Sequence, residues 1–361
     1  MKLTVDLTPL LIRSAGVKGY LYYWYRALLD LPGASVTGFP FLDEPGALRH
    51  EGSNVGLPHT LWSIAYLHVA RKLPRPFMGL ACRGCDVFHA TNQVYDGPRG
   101  ARLTTTLHDV TSWLTPEVHL EANRVADARY AERILKRADG IIAVSENTRR
   151  DAINVLGLDP ARITTIHSGV ADAFFDPPPA GAVRRKYGLD KPYVLFVGTV
   201  EPRKNLDRLL DAWRGLTAEF ELVIVGASGW APPDTVRRLS ETSGVRKLGY
   251  IPEAELPALT GGALAVAYPS LYEGFGFPVA QAMACGVPVL TSNVSSLPEI
   301  ARDAAVFVDP QDTEAIRAGL RKLVDDAELR AALSKAGRKR AENYRWDRCA
   351  RESMAFFARL I

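Results

Sequence analysis

Along this chain, short apolar runs alternate with longer stretches whose apolar positions recur every three or four residues. The short runs are rich in Val, Ile, Leu and aromatic residues and are bounded by Gly, Pro, Asp or Asn, the pattern of strands buried on both faces. In the first half they predict strands at 3–6, 36–39, 87–89, 103–107, 140–144 and 163–166. The helical period between them predicts helices, among them 21–31 and 121–137. A second series of strands follows at 193–198, 222–226, 246–248, 264–268, 287–291 and 305–308. Regular alternation of strand and helix is the pattern of doubly wound, parallel α/β sheets.

Between the two series lies Asp176-Pro177-Pro178-Pro179-Ala180-Gly181, which can continue neither a helix nor a central strand. The expected organisation is a first Rossmann-like domain at 1–175 and a second at 182–344, with an amphipathic segment at 345–361 packing back on the first. At 361 residues, each half is large enough to bury its own core. Ligands of open α/β sheets lie beyond the carboxyl ends of the strands, so two such domains facing each other would line a cleft with those ends.

Composition narrows the function classes. The 44 basic residues nearly balance 40 acidic ones, so the net charge of +4 leaves no excess for coating a nucleic acid. The N-terminal Met1-Lys2-Leu3-Thr4-Val5-Asp6-Leu7 has no signal-like apolar core, and no run approaches the ~20 residues that span a bilayer. A cytoplasmic protein is expected. Cys82 and Cys85 have the spacing of a zinc or redox pair, but no second pair completes four ligands. All four cysteines, with Cys285 and Cys349, therefore read as reduced structural thiols, and no metal is expected. The stretch 61–76, apolar with Arg71, Lys72 and Arg75 at its end, has two readings: a helix touching a membrane surface, or a buried helix with a solvated end.

Two segments carry the chemistry. In Val197-Gly198-Thr199-Val200-Glu201-Pro202-Arg203-Lys204-Asn205-Leu206, a strand ends at Gly198 and a helix starts near Asn205. A glycine lets backbone approach a ligand, and a helix N-terminus with Arg203 and Lys204 suits a diphosphate. The plain alternative is a capped helix with two solvated charges. The second segment runs from Ala267-Tyr268-Pro269-Ser270 through Glu273-Gly274-Phe275-Gly276 to the helix that ends at Gly286. Its glycines allow a tight turn presenting N–H groups to phosphate or sugar oxygens, with Glu273 placed for sugar hydroxyls. In the first half, the strand at 103–107 delivers His108 and Asp109 at its carboxyl end, and Gly16-Val17-Lys18-Gly19 precedes a helix. Tyr20, Tyr22, Tyr23, Trp24 and Tyr25 read either as an acceptor surface or as a core stripe.

These segments resemble the donor-binding half of retaining glycosyltransferases of family 4, whose GT-B fold has two facing Rossmann-like domains with a cleft between them. The resemblance covers 193–310 and implies the following roles. Arg203 and Lys204 match the basic pair for the donor diphosphate. Glu273 matches the first of two glutamates separated by seven residues, and Gln281 stands at the second, on the ribose. Tyr250 and Ile251 resemble the segment lining the base, and Gly198, Thr199, Gly274, Phe275 and Gly276 line the donor. Gly16 and Gly19 approach its phosphates, and His108 with Asp109 lies near the anomeric carbon. Gln281 keeps an acceptor oxygen but loses charge, which should weaken nucleotide binding by about 1 kcal/mol.

The implied reaction transfers a hexose, with retention and without a metal, from a nucleotide-diphosphate sugar to a glycan or lipid-linked acceptor. The form of both motifs most resembles bacterial mannosyltransferases of surface polysaccharide assembly, which favours GDP-mannose and the inner membrane face. Two alternatives use the same fold: a sugar-nucleotide epimerase, and a non-catalytic binding subunit suggested by Gln281. A dehydrogenase is disfavoured, because no GxGxxG follows the first strand.

Overall fold

The computed structural model of the protein describes residues 1–13, 16–40, 44–72, 82, 84–94, 96–216 and 219–361. The chain divides into two units, Met1–Gly169 with Trp346–Ile361, and Val170–Arg345. Each is built on one six-stranded sheet with every pairing parallel. The first holds β1 (Lys2–Asp6), β2 (Ser35–Phe39), β3 (Val87–Ala90), β4 (Arg102–Leu107), β5 (Gly140–Ala143) and β6 (Ile163–Thr165), in the order β2-β1-β3-β4-β5-β6. The second holds β7 (Tyr193–Val197), β8 (Glu221–Val225), β9 (Val245–Gly249), β10 (Ala265–Tyr268), β11 (Val289–Ser292) and β12 (Ala305–Val308), in the order β12-β11-β10-β7-β8-β9. Every predicted strand is present, displaced by at most two residues at an end.

Both orders reverse once, between β1 and β3 in the first unit and between β7 and β10 in the second. At a reversal the crossover helices leave on opposite faces, which opens a crevice beyond the carboxyl ends of the two strands. Strands β3, β5, β10 and β11 are buried at every position, as continuous apolar runs between helical layers require.

The helix Gly16–Leu29 buries Tyr20, Leu21, Trp24, Tyr25 and Leu28, a single face at helical spacing. Three members of the aromatic run are therefore core, while Tyr22 and Tyr23 are half-buried. The helix Trp346–Ala358 lies against it in the same unit. Trp24 Nε1 donates to Ser353 Oγ at 3.0 Å, and the Phe357 ring meets those of Trp24 and His89. Gly140 lies under this helix, where a Cβ would come within 2.6 Å of Phe356.

Residues 170–181, read from sequence as the end of the first domain and a linker, fall within the second unit. Val170 N–H donates to Tyr344 O at 2.8 Å. The predicted helix at 121–137 is a helix Glu121–Tyr130 that loosens into a π turn at Ala131–Leu135. The helix placed at 21–31 begins earlier, at Gly16, so Gly16 and Gly19 are part of its first turn.

Candidate active site

In the second unit the quoted segments leave β7 and β10, the two strands at the reversal. Beyond β7 the chain stays beside β8: Gly198 N–H donates to Val225 O at 2.8 Å, and Val200 N–H to Ala227 O at 3.1 Å. The glycine this approach demands is Gly226, at φ 147°, where a Cβ would fall 1.9 Å from Gly198 O. Gly198 has room for a Cβ, and Thr199 beside it is half-buried.

A 3₁₀ turn, Pro202–Lys204, then leads through Asn205 to the helix Leu206–Trp213, whose Leu206, Leu209, Leu210 and Trp213 are buried. Asn205 is left-handed, with φ 60°. Its Nδ2 donates to Pro269 O at 2.9 Å and Pro310 O at 2.7 Å, fixing the basic turn to the loop after β10.

That loop delivers Glu273 into the same place. Its Oε1 accepts from Lys204 Nζ at 2.7 Å and Ser270 Oγ at 2.6 Å, and its Oε2 lies 3.0 Å from Arg203 Nη1. Arg203 also donates to Glu201 Oε1 at 2.7 Å and Tyr272 O at 2.6 Å. Lys204 donates to Tyr268 Oη at 2.6 Å. The backbone of Glu273 is held as well: its N–H donates to Ser295 Oγ at 3.0 Å, and its carbonyl accepts from Ser296 Oγ at 2.9 Å. Ser295 adopts φ 57°, a strained conformation for a serine, to make that bond.

Two cations thus meet two carboxylates in a buried cluster, and the reading of solvated charges is corrected: Lys204 and Glu273 are buried. The reason is topological, since the reversal points both loops into one crevice. Burial alone would raise the Glu273 pKa, but the charges of Arg203 and Lys204 and two hydrogen bonds hold it at about 2. Burial lowers the Lys204 pKa, opposed chiefly by Glu273.

Beyond the cluster, Gly274 is buried, and Phe275 packs its ring against Phe277 and Tyr344. Gly276, at φ 94°, caps the helix Phe277–Cys285, which carries the half-buried Gln281. Ile251 is buried, and Tyr250 is exposed past the end of β9.

In the first unit, His108 and Asp109 follow β4. The His108 ring meets Tyr20 edge-on at 4.8 Å. Burial lowers its pKa to about 4 against the pull of Asp109, so it is a neutral imidazole at pH 7. Asp109 Oδ1 accepts from Thr111 N–H at 3.0 Å and Thr111 Oγ1 at 2.6 Å, and so shapes the start of the short helix Thr111–Leu114. His89 is a core residue, its ring nitrogens each 3.0 Å from the hydroxyls of Thr104 and Thr106.

A Cβ at Gly16 would meet nothing, but Lys18 between the two glycines is fully buried. It donates to Ile12 O at 2.9 Å and to Gly52 O. Sequence reasoning assigned no role to Lys18, Glu201, Ser270 or Ser295. Glu201 stood two residues from Arg203 and was legible there; Ser295 lies 22 residues beyond Glu273, and nothing local to either residue signalled their contact. Among the described residues, no group of three or more His, Cys, Asp or Glu is placed to hold a metal.

Comparison with known proteins places the chain in a family. Residues 16–174 match the family described as Glycosyltransferase Family 4, and residues 182–340 that described as Glycosyl transferases group 1. The chain is 35% identical over 281 residues to O-antigen chain mannosyltransferase B of Escherichia coli, covering 72% of this chain and 73% of that protein. The chain belongs to glycosyltransferase family 4.

Within the family it is also 28% identical over 239 residues to the serotype-specific mannosyltransferase WbdA of Escherichia coli. That match spans 63% of this chain and 29% of that protein. Among solved structures, sucrose-phosphate synthase from Thermosynechococcus elongatus has TM-score 0.75 at 20% identity, covering 100% of this chain and 99% of its own. HepE of Anabaena, solved in complex with UDP and glucose, has TM-score 0.70 at 18% identity, covering 98% of this chain and 99% of its own. The family 4 chain thus has the expected GT-B class of fold, with two Rossmann-like α/β domains, and is a nucleotide-sugar-dependent hexosyltransferase.

Proposed function

We propose that this glycosyltransferase moves mannose from GDP-mannose, with retention, to a glycan or lipid-linked saccharide in surface polysaccharide assembly. The carrying observation is the buried cluster of Arg203, Lys204 and Glu273 at the strand-order reversal of the second unit. The printed names of its Escherichia coli relatives support the sugar and the process.

Breaking the anomeric C–O bond leaves positive charge on the sugar and negative charge on the departing diphosphate. Arg203 and Lys204 supply the fixed donors that stabilise the latter. Their carboxylate partners keep these cations in place before the donor arrives, so little reorganisation remains at the moment of reaction. Glu273, ionised at working pH, accepts sugar hydroxyls with the lone pairs its partners leave over. Gly198, Thr199, Gly274 and Gly276 present backbone to the donor, Tyr250 and Ile251 take the base, and Gln281 takes the ribose. We assign neutral His108 to the transferred sugar, with Asp109 shaping the turn that holds it.

Titration calorimetry with GDP, UDP and dTDP tests the donor site. Selective binding of GDP, weakened at least 100-fold in an Arg203→Ala protein whose circular dichroism shows it folded, is expected. Equal binding by both proteins would remove the diphosphate from this cluster.

We further propose that the enzyme works in the cytoplasm at the inner membrane face, held through the helix Leu57–Lys72. No helix among the described residues is long and apolar enough to cross a membrane. This one nevertheless leaves Leu57, Leu61, Trp62 and Ile64 between 53% and 70% exposed. The sequence from 52 to 85 contains no Asp or Glu but four Lys or Arg, which favours an anionic surface. Of the basic end read from sequence, Arg75 and the side chains of Arg71 and Lys72 lie outside the described residues.

A further inference from the structure

Tyr20 lies on the helix Gly16–Leu29 of the first unit, with its side chain only 2% exposed. Trp24, one turn further along, stacks on its ring at 5.8 Å with 23° between the planes. Trp346, the first residue of the helix Trp346–Ala358, meets it edge-on at 5.4 Å. Trp346 is itself pressed against Gly169, where a Cβ would fall 2.5 Å from the indole. On its remaining side Tyr20 meets His108, with ring centroids 4.8 Å apart and planes at 83°.

The hydroxyl of Tyr20 is held as well, and counting protons gives the direction of the bond. Thr104 Oγ1 donates to Phe88 O at 3.4 Å, which uses its one proton. In the 3.0 Å contact between Thr104 Oγ1 and His89 Nδ1, the imidazole is therefore the donor. Neutral His89 then accepts at Nε2 from Thr106 Oγ1, 3.0 Å away. Thr106 has no second proton to give, so Tyr20 Oη donates to it across 3.3 Å. The chain runs from Tyr20 through Thr106, His89 and Thr104 to the Phe88 carbonyl, and every member is buried. A ring held on its face, its edge and its hydroxyl is a rigid support for a neighbouring side chain. His108, by contrast, is only half-buried, at the carboxyl end of β4 where ligands of this fold class lie.

We propose that Tyr20 is a positioning residue for sugar transfer, its fixed ring setting the orientation of the His108 imidazole and excluding water from one side of it. The inference rests on the assignment of His108 to the transferred sugar. The ring matters more than the hydroxyl, because the hydrogen-bond chain runs away from Tyr20 and stays intact without it. The titratable groups that bear on His108 are Asp109 next to it in the chain, His89 and Tyr20 itself. Asp109 favours the imidazolium, and desolvation outweighs it. Without the ring, water reaches the imidazole, its pKa moves up from about 4 towards 6.5, and the neutral form is lost at higher pH.

The test uses the whole chain, with GDP-mannose as donor and mannobiose as acceptor, and the variants Tyr20→Met, Tyr20→Phe and His108→Ala. In Tyr20→Met, kcat should fall at least 10-fold while GDP affinity is kept, and the acid limb of the kcat profile should move up by about one pH unit or more. A purely structural role would lower kcat without moving that limb. Tyr20→Phe should restore at least a third of the wild-type kcat. A Tyr20→Met protein with wild-type kcat and pH profile, or a Tyr20→Phe protein as slow as Tyr20→Met, overturns the positioning role and leaves the transferase reading intact. Full activity in His108→Ala, or a wild type that releases no GDP from GDP-mannose, overturns the functional reading beneath it and takes the role of Tyr20 with it. If Tyr20→Met does not fold, NMR of the wild type decides. The His108 Cε1 proton should titrate near 4 and show Overhauser contacts to the Tyr20 ring; titration near 6.5, or no such contacts, overturns the proposal.

Discussion

Glu273 holds a full negative charge where burial opposes it, and it does so because Arg203, Lys204 and Ser270 all reach it. Each of those partners would be poorly placed without the others, so the structural unit, and the unit of the proposed donor site, is the cluster rather than a single residue. Gln281 is the residue to which the proposed function assigns the donor ribose. An amide oxygen accepts a ribose hydroxyl less strongly than a carboxylate, by about 1 kcal/mol. Gln281→Glu is therefore expected to lower the GDP dissociation constant about fivefold in a calorimetric titration. A weakened or unchanged affinity would mean that the ribose lies elsewhere.

The helix Leu57–Lys72 has an apolar composition that fits a buried element equally well, and the sequence left both readings open. Its exposed Leu57, Leu61, Trp62 and Ile64 show that the helix is not covered as a core helix would be, and the proposed membrane contact is tested on them. Vesicle flotation should show the protein rising with phosphatidylglycerol-containing liposomes, more weakly with phosphatidylcholine alone, and at least threefold less for a Leu61→Ser, Trp62→Ser double variant. Flotation independent of both changes would move the contact to another surface. By contrast, the helix Trp346–Ala358 has its apolar face satisfied by Trp24, His89 and Gly140 within the first unit.

For the whole molecule, buried titratable groups set the response to acid. Burial holds His89 at a pKa of about 3, against 6.5 in an unfolded chain. Between those values the unfolded chain binds a proton that the folded one refuses, so stability falls as pH falls through this window. His108, at about 4, acts in the same direction, and Glu273 adds its loss below 4.5. Asp6 opposes them, since burial raises its pKa. Melting temperature is expected to drop steadily from pH 6.5 towards pH 4. In His89→Gln, which keeps hydrogen-bonding groups but does not titrate, the slope of unfolding free energy against pH should be shallower by up to about 1.4 kcal/mol per pH unit. Parallel curves for the two proteins would place the acid sensitivity in other groups.

Alternation of short apolar runs with helical periods was enough to determine both sheets strand by strand, because strands buried on two faces have almost no polar positions to blur the pattern. The motif residues Arg203, Lys204 and Glu273 were also legible, since each lies directly after a strand. What the sequence could not contain was the distance between them. Arg203 and Glu273 are 70 residues apart along the chain, and only the β12-β11-β10-β7-β8-β9 order sets β7 beside β10 and brings their loops within 3.0 Å. The same holds for Ser295 under Glu273, and for Lys18 tying the first helix to Gly52. Local pattern determines which residues form an element, because the period reports burial one residue at a time. Which elements become neighbours depends on non-local pairing, and so the charge state of the cluster was decided by the tertiary structure alone.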